Sequence, residues 1–279
     1  RALEYGLKRM NTLPISLRLL GELHERLMDG VRGGHLTPGE FRRTQNWIGP
    51  PGCSLNDATY VPPPVHEMLN SLGQLEKYIH VEPSPMRLPA LIRMALIHYQ
   101  FEAIHPYLDG NGRIGRLLIT LILCAEKLLD QPLLYLSAFF EKNRSEYYGL
   151  LLAVSQRGEW APWIDYFLRG VTEQSTDAIR RTQKLLDLRE MYAQQLHMAR
   201  ASALPLRLLD EIFRHPVLTI SRASQLLRVT TRAATLNIMK LVGLGILTEV
   251  TGQQRYRMFA AREIIKIAEQ DQMPANDSA

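Results

Sequence analysis

Apolar residues recur at helical spacing through most of this chain, separated by short polar or glycine-containing breaks. Leu17, Leu20, Leu23 and Leu27 lay one apolar stripe along Ser16 to Leu27, and Asp29-Gly30 and Gly33-Gly34 close it. His66 to Ile79 and Leu88 to His105 read as two further helices parted by Glu82-Pro83-Ser84-Pro85, and Leu117 to Leu129 as a strongly apolar one. Leu133 to Phe140 is mixed, Glu141 to Tyr148 opens another helix, and Trp160, Trp163, Tyr166 and Phe167 fall at core spacing. From Thr172 to Ala203 the residues are polar and helix-favouring, which predicts a long connecting helix, since a flexible linker is richer in Gly, Pro or Ser. Beyond Pro205, three short helices are predicted over Leu206–Phe213, Ile220–Leu227 (capped by Thr219 or Ser221) and Thr230–Val242. Two strands at Gly243–Thr248 and Gly252–Phe259 follow them around a glycine turn. Asn46 to Pro64 is rich in Pro and Gly and has no helical period, so Asp57 to Pro64 reads either as a plain surface loop or as a short extended edge.

Composition narrows the class. A length of 279 residues with 46% hydrophobic content supports one or two cored domains. Cys53 and Cys124 are too few and too unlike in context for a disulfide framework or a zinc site, which fits a reducing compartment. The apolar stretch from Leu117 to Ala125 is far too short to span a bilayer. A soluble cytoplasmic protein with no membrane partner is the expectation. Residues 204–262 hold nine Lys/Arg against three Asp/Glu, a net +6 beside +5 for the whole chain, so the basic excess belongs to that segment.

The densest chemistry is His105-Pro106-Tyr107-Leu108-Asp109-Gly110-Asn111-Gly112-Arg113-Ile114-Gly115-Arg116. A polar, glycine-rich turn between two apolar helices is costly to bury, so it reads as an active-site loop. Gly110 and Gly112 permit positive φ and close backbone approach to a ligand. The helix that follows presents free N–H groups, an anion site, with Arg113 and Arg116 on one face of its first turn. Guanidinium groups suit phosphate oxygens. Asp109 is a hard oxygen ligand suited to Mg²⁺ shared with a nucleotide's phosphates, and His105 is placed to act as a general base. Gly110-x-Gly112-x-x-Gly115 matches the dinucleotide fingerprint formally, but the preceding segment is helical where that motif needs a strand. Glu102-x-x-His105 is half of a di-iron site and has no second copy. His98, seven residues before His105, reads as a core histidine.

The pattern His-Pro-aromatic-x-Asp-Gly-Asn-Gly-Arg-x-x-Arg resembles the signature of the Fic family, with Tyr107 standing where phenylalanine is commoner. The resemblance extends over roughly residues 1–170. It implies a mainly α fold: a helical core with a small β-hairpin flap. It also implies a protein AMP transferase that moves AMP from ATP, with Mg²⁺, onto a Ser, Thr or Tyr hydroxyl of a target protein or of itself. Some relatives transfer other phosphate-containing groups or remove AMP. On this resemblance His105 is the catalytic base and Asp109 the metal ligand. Gly110, Asn111, Gly112, Arg113 and Arg116 hold phosphates, and Tyr60 and Val61 belong to the target-docking flap. Asn143 and Tyr148 either line the base pocket or serve as cap and packing residues. Many relatives self-associate, and many carry an inhibitory Ser/Thr-x-x-x-Glu-Gly/Asn helix. That pattern is missing here, its nearest match being Ser137 to Glu141 followed by Lys142. Arg1 is not an initiator methionine, so the brake is expected upstream or on a partner.

The segment beyond Pro205 reads as a winged helix-turn-helix, which resembles the C-terminal domain of many bacterial Fic proteins. Arg222, Arg228, Thr230, Thr231, Arg232, Arg255 and Arg257 fall at its turn, its recognition helix and its wing, where DNA contacts are expected. Such domains also serve as protein-docking or dimerisation modules. The expected division is a Fic domain over 1–170, a connecting helix over 171–203, a winged helix-turn-helix over 204–265 and a polar tail over 266–279. A DNA-binding regulator whose first domain senses nucleotide is the alternative to a transferase.

Overall fold

The computed structural model describes residues 2–31, 36–81, 88–253 and 256–269. The chain separates into two compact units, residues 1–175 and 176–279. The first unit opens with α1 (Ala2–Arg9) and α2 (Leu17–Met28), whose N-cap Ser16 accepts from the Leu19 N–H. Then come α3 (Val65–Ile79), α4 (Ala90–Ile104), α5 (Asn111–Ala125), α6 (Leu136–Lys142) and α7 (Arg144–Arg157). α8 runs unbroken from Trp160 to Met198, through the boundary between the units. The connecting helix expected from residue 171 is therefore the continuation of the helix that carries Trp163 and Phe167.

α4 and α5 form the centre of the first unit. Phe101 and Ile104 of α4 and Ile114, Leu118 and Leu121 of α5 are almost wholly buried. α2, α3 and the aromatic face of α8 complete this core. A Cβ on Gly115 would strike the Glu102 carboxylate and stand 3.1 Å from Phe101 Cδ1, so glycine permits the close α4–α5 approach. His98 is fully buried, bonded through Nε2 to the Tyr147 hydroxyl at 2.8 Å, and burial pushes it down to about 3. It is a core residue, as its position on α4 suggested.

The flap segment departs from the expected hairpin. One antiparallel bridge joins Ile48 to Tyr60, and a single 3₁₀ turn (Leu55–Asp57) lies inside the loop. Pro50, Pro51, Pro62, Pro63 and Pro64 supply no N–H groups, so a ladder cannot extend on either side.

In the second unit, α9 (Ala203–Arg214) starts two residues before Pro205, which is buried in its first turn. α10 (Ile220–Leu227) is capped by Thr219 and α11 (Thr231–Gly243) by Thr230, each side chain accepting a backbone N–H. Two expected strands are three: β1 (Val217–Thr219), β2 (Thr248–Glu249) and β3 (Met258–Ala260) form an antiparallel sheet in the order β1-β3-β2. Residues 266–269, expected in the tail, are the end of α12 (Arg262–Glu269), because Ile264 and Ile267 give it an apolar face that packs on this core. Glu82-Pro83-Ser84-Pro85, Gly33-Gly34, Arg255 and the tail from residue 270 lie outside the described residues. Among the described residues, no helix is long and apolar enough to cross a membrane.

Candidate active site

His105 sits at the C-cap of α4 in the left-handed conformation (φ 48°, ψ 61°). For a non-glycine residue that geometry costs about 1 kcal/mol, so neighbouring bonds must hold it. Its N–H bonds to the Phe101 carbonyl at 3.1 Å, and Nδ1 lies 3.2 Å from the Glu102 carbonyl. A carbonyl only accepts, so Nδ1 carries the proton and Nε2 keeps its lone pair. Burial lowers the imidazole to about 4; the Glu102 carbonyl opposes this, Arg42 adds to it, and Asp109 opposes it. The result is a neutral base at physiological pH.

The loop closes on itself. The Tyr107 N–H donates to Asn111 Oδ1 and Asn111 Nδ2 donates to the Tyr107 carbonyl, both at 2.8 Å. Asn111, expected to hold phosphate, is buried and spends its amide on this turn, leaving its backbone N–H at the start of α5 as its means of touching an anion. Gly110 caps α5 at φ 82°, where a Cβ would stand 2.9 Å from Met28 Sδ and 3.0 Å from His24 Nε2. Asp109 is about half exposed; Oδ1 accepts from the Gly110 N–H and lies 3.7 Å from Arg113. Arg113 and Arg116 are both partly exposed residues of the same helix start.

Four contributors were not legible in the sequence. His24 of α2 stacks on Tyr107 (3.8 Å between centroids, planes 5° apart) and bonds through Nε2 to the Asp109 carbonyl at 2.9 Å. Its Nδ1 accepts from the Gly39 N–H, which places the proton on Nε2. Arg42 is buried and donates to the carbonyls of His105, Thr44 and Pro63. Asn46 donates to the carbonyls of His105 and Tyr107. Glu102 is buried beside Gly115, and desolvation raises it to about 7 against the pull of Arg116. A single Arg, Asn or His inside an unpatterned loop or on a helix gives no signal by spacing.

The remaining expected residues separate. The Tyr60 hydroxyl donates to the Ala103 carbonyl at 2.9 Å, so its side chain anchors the flap to α4, while Val61 is exposed. Asn143 Nδ2 donates to the Phe139 carbonyl, a cap between α6 and α7, and Tyr148 is exposed beneath the Arg144 guanidinium. In the second unit, Arg228, Thr230, Thr231 and Arg232 are exposed around the start of α11. Arg222 is paired with Glu211 and Arg257 with Glu249.

Residues 14–123 match the model of the Fic/DOC family. The chain is 32% identical over 168 residues to the protein adenylyltransferase Fic of Drosophila grimshawi, covering 59% of this chain and 30% of that protein. It is 30% identical over 166 residues to that of Culex quinquefasciatus, covering 58% and 29%. The chain thus spans less than a third of the length of these curated relatives. A crystal structure of a Fic family protein from Desulfovibrio desulfuricans G20 shares the fold, with TM-score 0.54 at 18% identity over 94% of this chain and 73% of that one. The loop from His105 to Arg116 lies within the matched segment, and residues 14–123 are a Fic family domain.

Proposed function

We propose that this chain is a protein AMP transferase that uses ATP. The observation that carries the reading is His105, a neutral imidazole with Nδ1 tied to a carbonyl, standing at the head of a glycine-capped helix start with Arg113 and Arg116. Nε2 takes the proton of an acceptor hydroxyl as its oxygen attacks the α-phosphorus. The bond from that phosphorus to the bridging oxygen breaks, and pyrophosphate leaves. The N–H groups at the start of α5 and the two guanidinium groups hold the phosphates and offset the developing charge. Catalysis of such transfer is mainly positioning and electrostatics.

Among the described residues no cluster of three His, Cys, Asp or Glu side chains forms a cage for a metal. Asp109 nonetheless suits Mg²⁺, which commonly binds through one carboxylate plus phosphate oxygens: its side chain is about half exposed, with Oδ1 bonded within the loop. Mg²⁺ held there would neutralise phosphate charge. Val61 and the backbone beside Tyr60 are the flap positions for an acceptor segment added as a strand. Tyr148 is the better candidate for stacking on adenine, since the Asn143 amide is spent on a cap.

Incubation with ATP labelled at the α- or the γ-phosphate tests the reading. Label should enter protein from the α position alone, and His105→Ala should lower turnover about 10²–10⁴-fold while ATP binding persists. Transfer of the γ label, or full activity in His105→Ala, would refute it.

A second reading concerns residues 203–269, where the helices α9, α10 and α11 and a three-stranded antiparallel sheet, followed by α12, suit a winged helix-turn-helix. The exposed Arg228, Thr230, Thr231 and Arg232 favour DNA contact there. Arg222 and Arg257, held in ion pairs, are weaker candidates.

A further inference from the structure

We propose that Arg42 and Asn46 are positioning residues for His105: two side chains from the flap segment grip its carbonyl and hold the base in its left-handed conformation. The last carbonyls of a helix have no partners within it, and a glycine usually ends the helix so that backbone N–H groups can close over them. α4 ends in histidine instead, and the donors come from some sixty residues earlier in the chain. Arg42 Nε and Asn46 Nδ2 reach the His105 carbonyl at 3.1 and 3.2 Å, and the Arg42 backbone N–H reaches the Pro106 carbonyl at 2.8 Å. Asn46 Nδ2 also reaches the Tyr107 carbonyl at 3.0 Å, and the Tyr60 hydroxyl takes that of Ala103.

Arg42 is also the base of the flap. Its two terminal nitrogens donate to the carbonyls of Thr44 and Pro63, one on each side of the loop that carries Ile48 and Tyr60. It is 1% exposed and, among the described residues, its side chain bonds to carbonyls, so the fork of one guanidinium spans both sides of the flap loop and the residue that carries the base. A lysine ammonium cannot reproduce that fork. The arrangement ties the place where an acceptor would dock to the angle at which Nε2 meets it.

The test rests on the AMP-transfer reading for its kinetic arm and not for its spectroscopic one. The full chain with Arg42→Lys and with Asn46→Ala is assayed for thermal unfolding, for kcat and KM with ATP, and for the ¹⁵N imidazole resonances of His105, identified by their absence in His105→Ala. In folded variants kcat should fall on the order of 10²-fold, as for a small misplacement of a catalytic group, with KM for ATP nearly unchanged. The His105 resonances should move from a single Nδ1–H tautomer to an average of two. Asn46→Gln should restore part of the loss. Wild-type kcat, or a loss confined to KM, would overturn the proposal. If the wild-type chain transfers no AMP, the activity reading falls, and an unchanged imidazole spectrum in Asn46→Ala then overturns the positioning role by itself.

Discussion

Glu102 is buried to 8% exposure against the start of α5, and Oε1 has no hydrogen-bond partner. Glu102→Gln keeps the shape and removes the ionisation. Desolvation carries the carboxyl from 4.5 to about 7, Arg116 pulling it the other way. At about 1.4 kcal/mol per pH unit, that gap makes the ionised form cost the folded unit about 3 kcal/mol at pH 8. The folded value lies above the unfolded one, so the advantage of the protonated side chain is complete below about pH 4.5 and is lost as pH rises through 7. Glu102→Gln should therefore match the wild type at pH 4 and exceed it by about 3 kcal/mol at pH 8. Urea unfolding followed by tryptophan fluorescence reads this cleanly, because Trp47, Trp160 and Trp163 all lie in the first unit. His98 and His105 titrate in both proteins and cancel in the difference. A gap between the two proteins that is equal at pH 4 and pH 8 would refute the reasoning.

The Tyr107 hydroxyl is buried without a partner, so Tyr107→Phe should stabilise the first unit by about 1 kcal/mol in the same unfolding assay. Gly110→Ala adds a Cβ at φ 82° against Met28 and His24, and should cost about 1–3 kcal/mol with loss of ATP binding by calorimetry. An NMR titration should place the His105 midpoint at about 4, since burial depresses it; a midpoint at 6.5 would show a solvated imidazole. If α11 meets DNA, Arg228→Ala and Arg232→Ala should each weaken binding to random DNA and flatten its salt slope by about 1 in gel shifts.

Helix spacing in the sequence located α2, α3 and α4 to within two residues, because each has to bury an apolar surface, but it set the apolar stretch of α5 six residues late and split α8 in two. Thr219 was legible as one of two candidate caps, because a hydroxyl just before an apolar run has a local task, whereas Thr230, read as the first helical residue, is itself the cap of α11. The motif from His105 to Arg116 was legible for the same reason: its glycines, histidine and arginines lie within a dozen residues of one another. Spacing could not show what reaches that loop from elsewhere. His24, Arg42 and Asn46 are set by contacts with residues 59 to 85 positions away, and periodicity carries no trace of such pairings. Asn111 is the sharpest case, a motif amide assigned to phosphate that the fold spends on closing its own turn. Sequence alone singled out the groups proposed to do the chemistry; the tertiary structure decided which nitrogen of His105 is free and what holds it in place, because both depend on carbonyls and donors that only folding brings together.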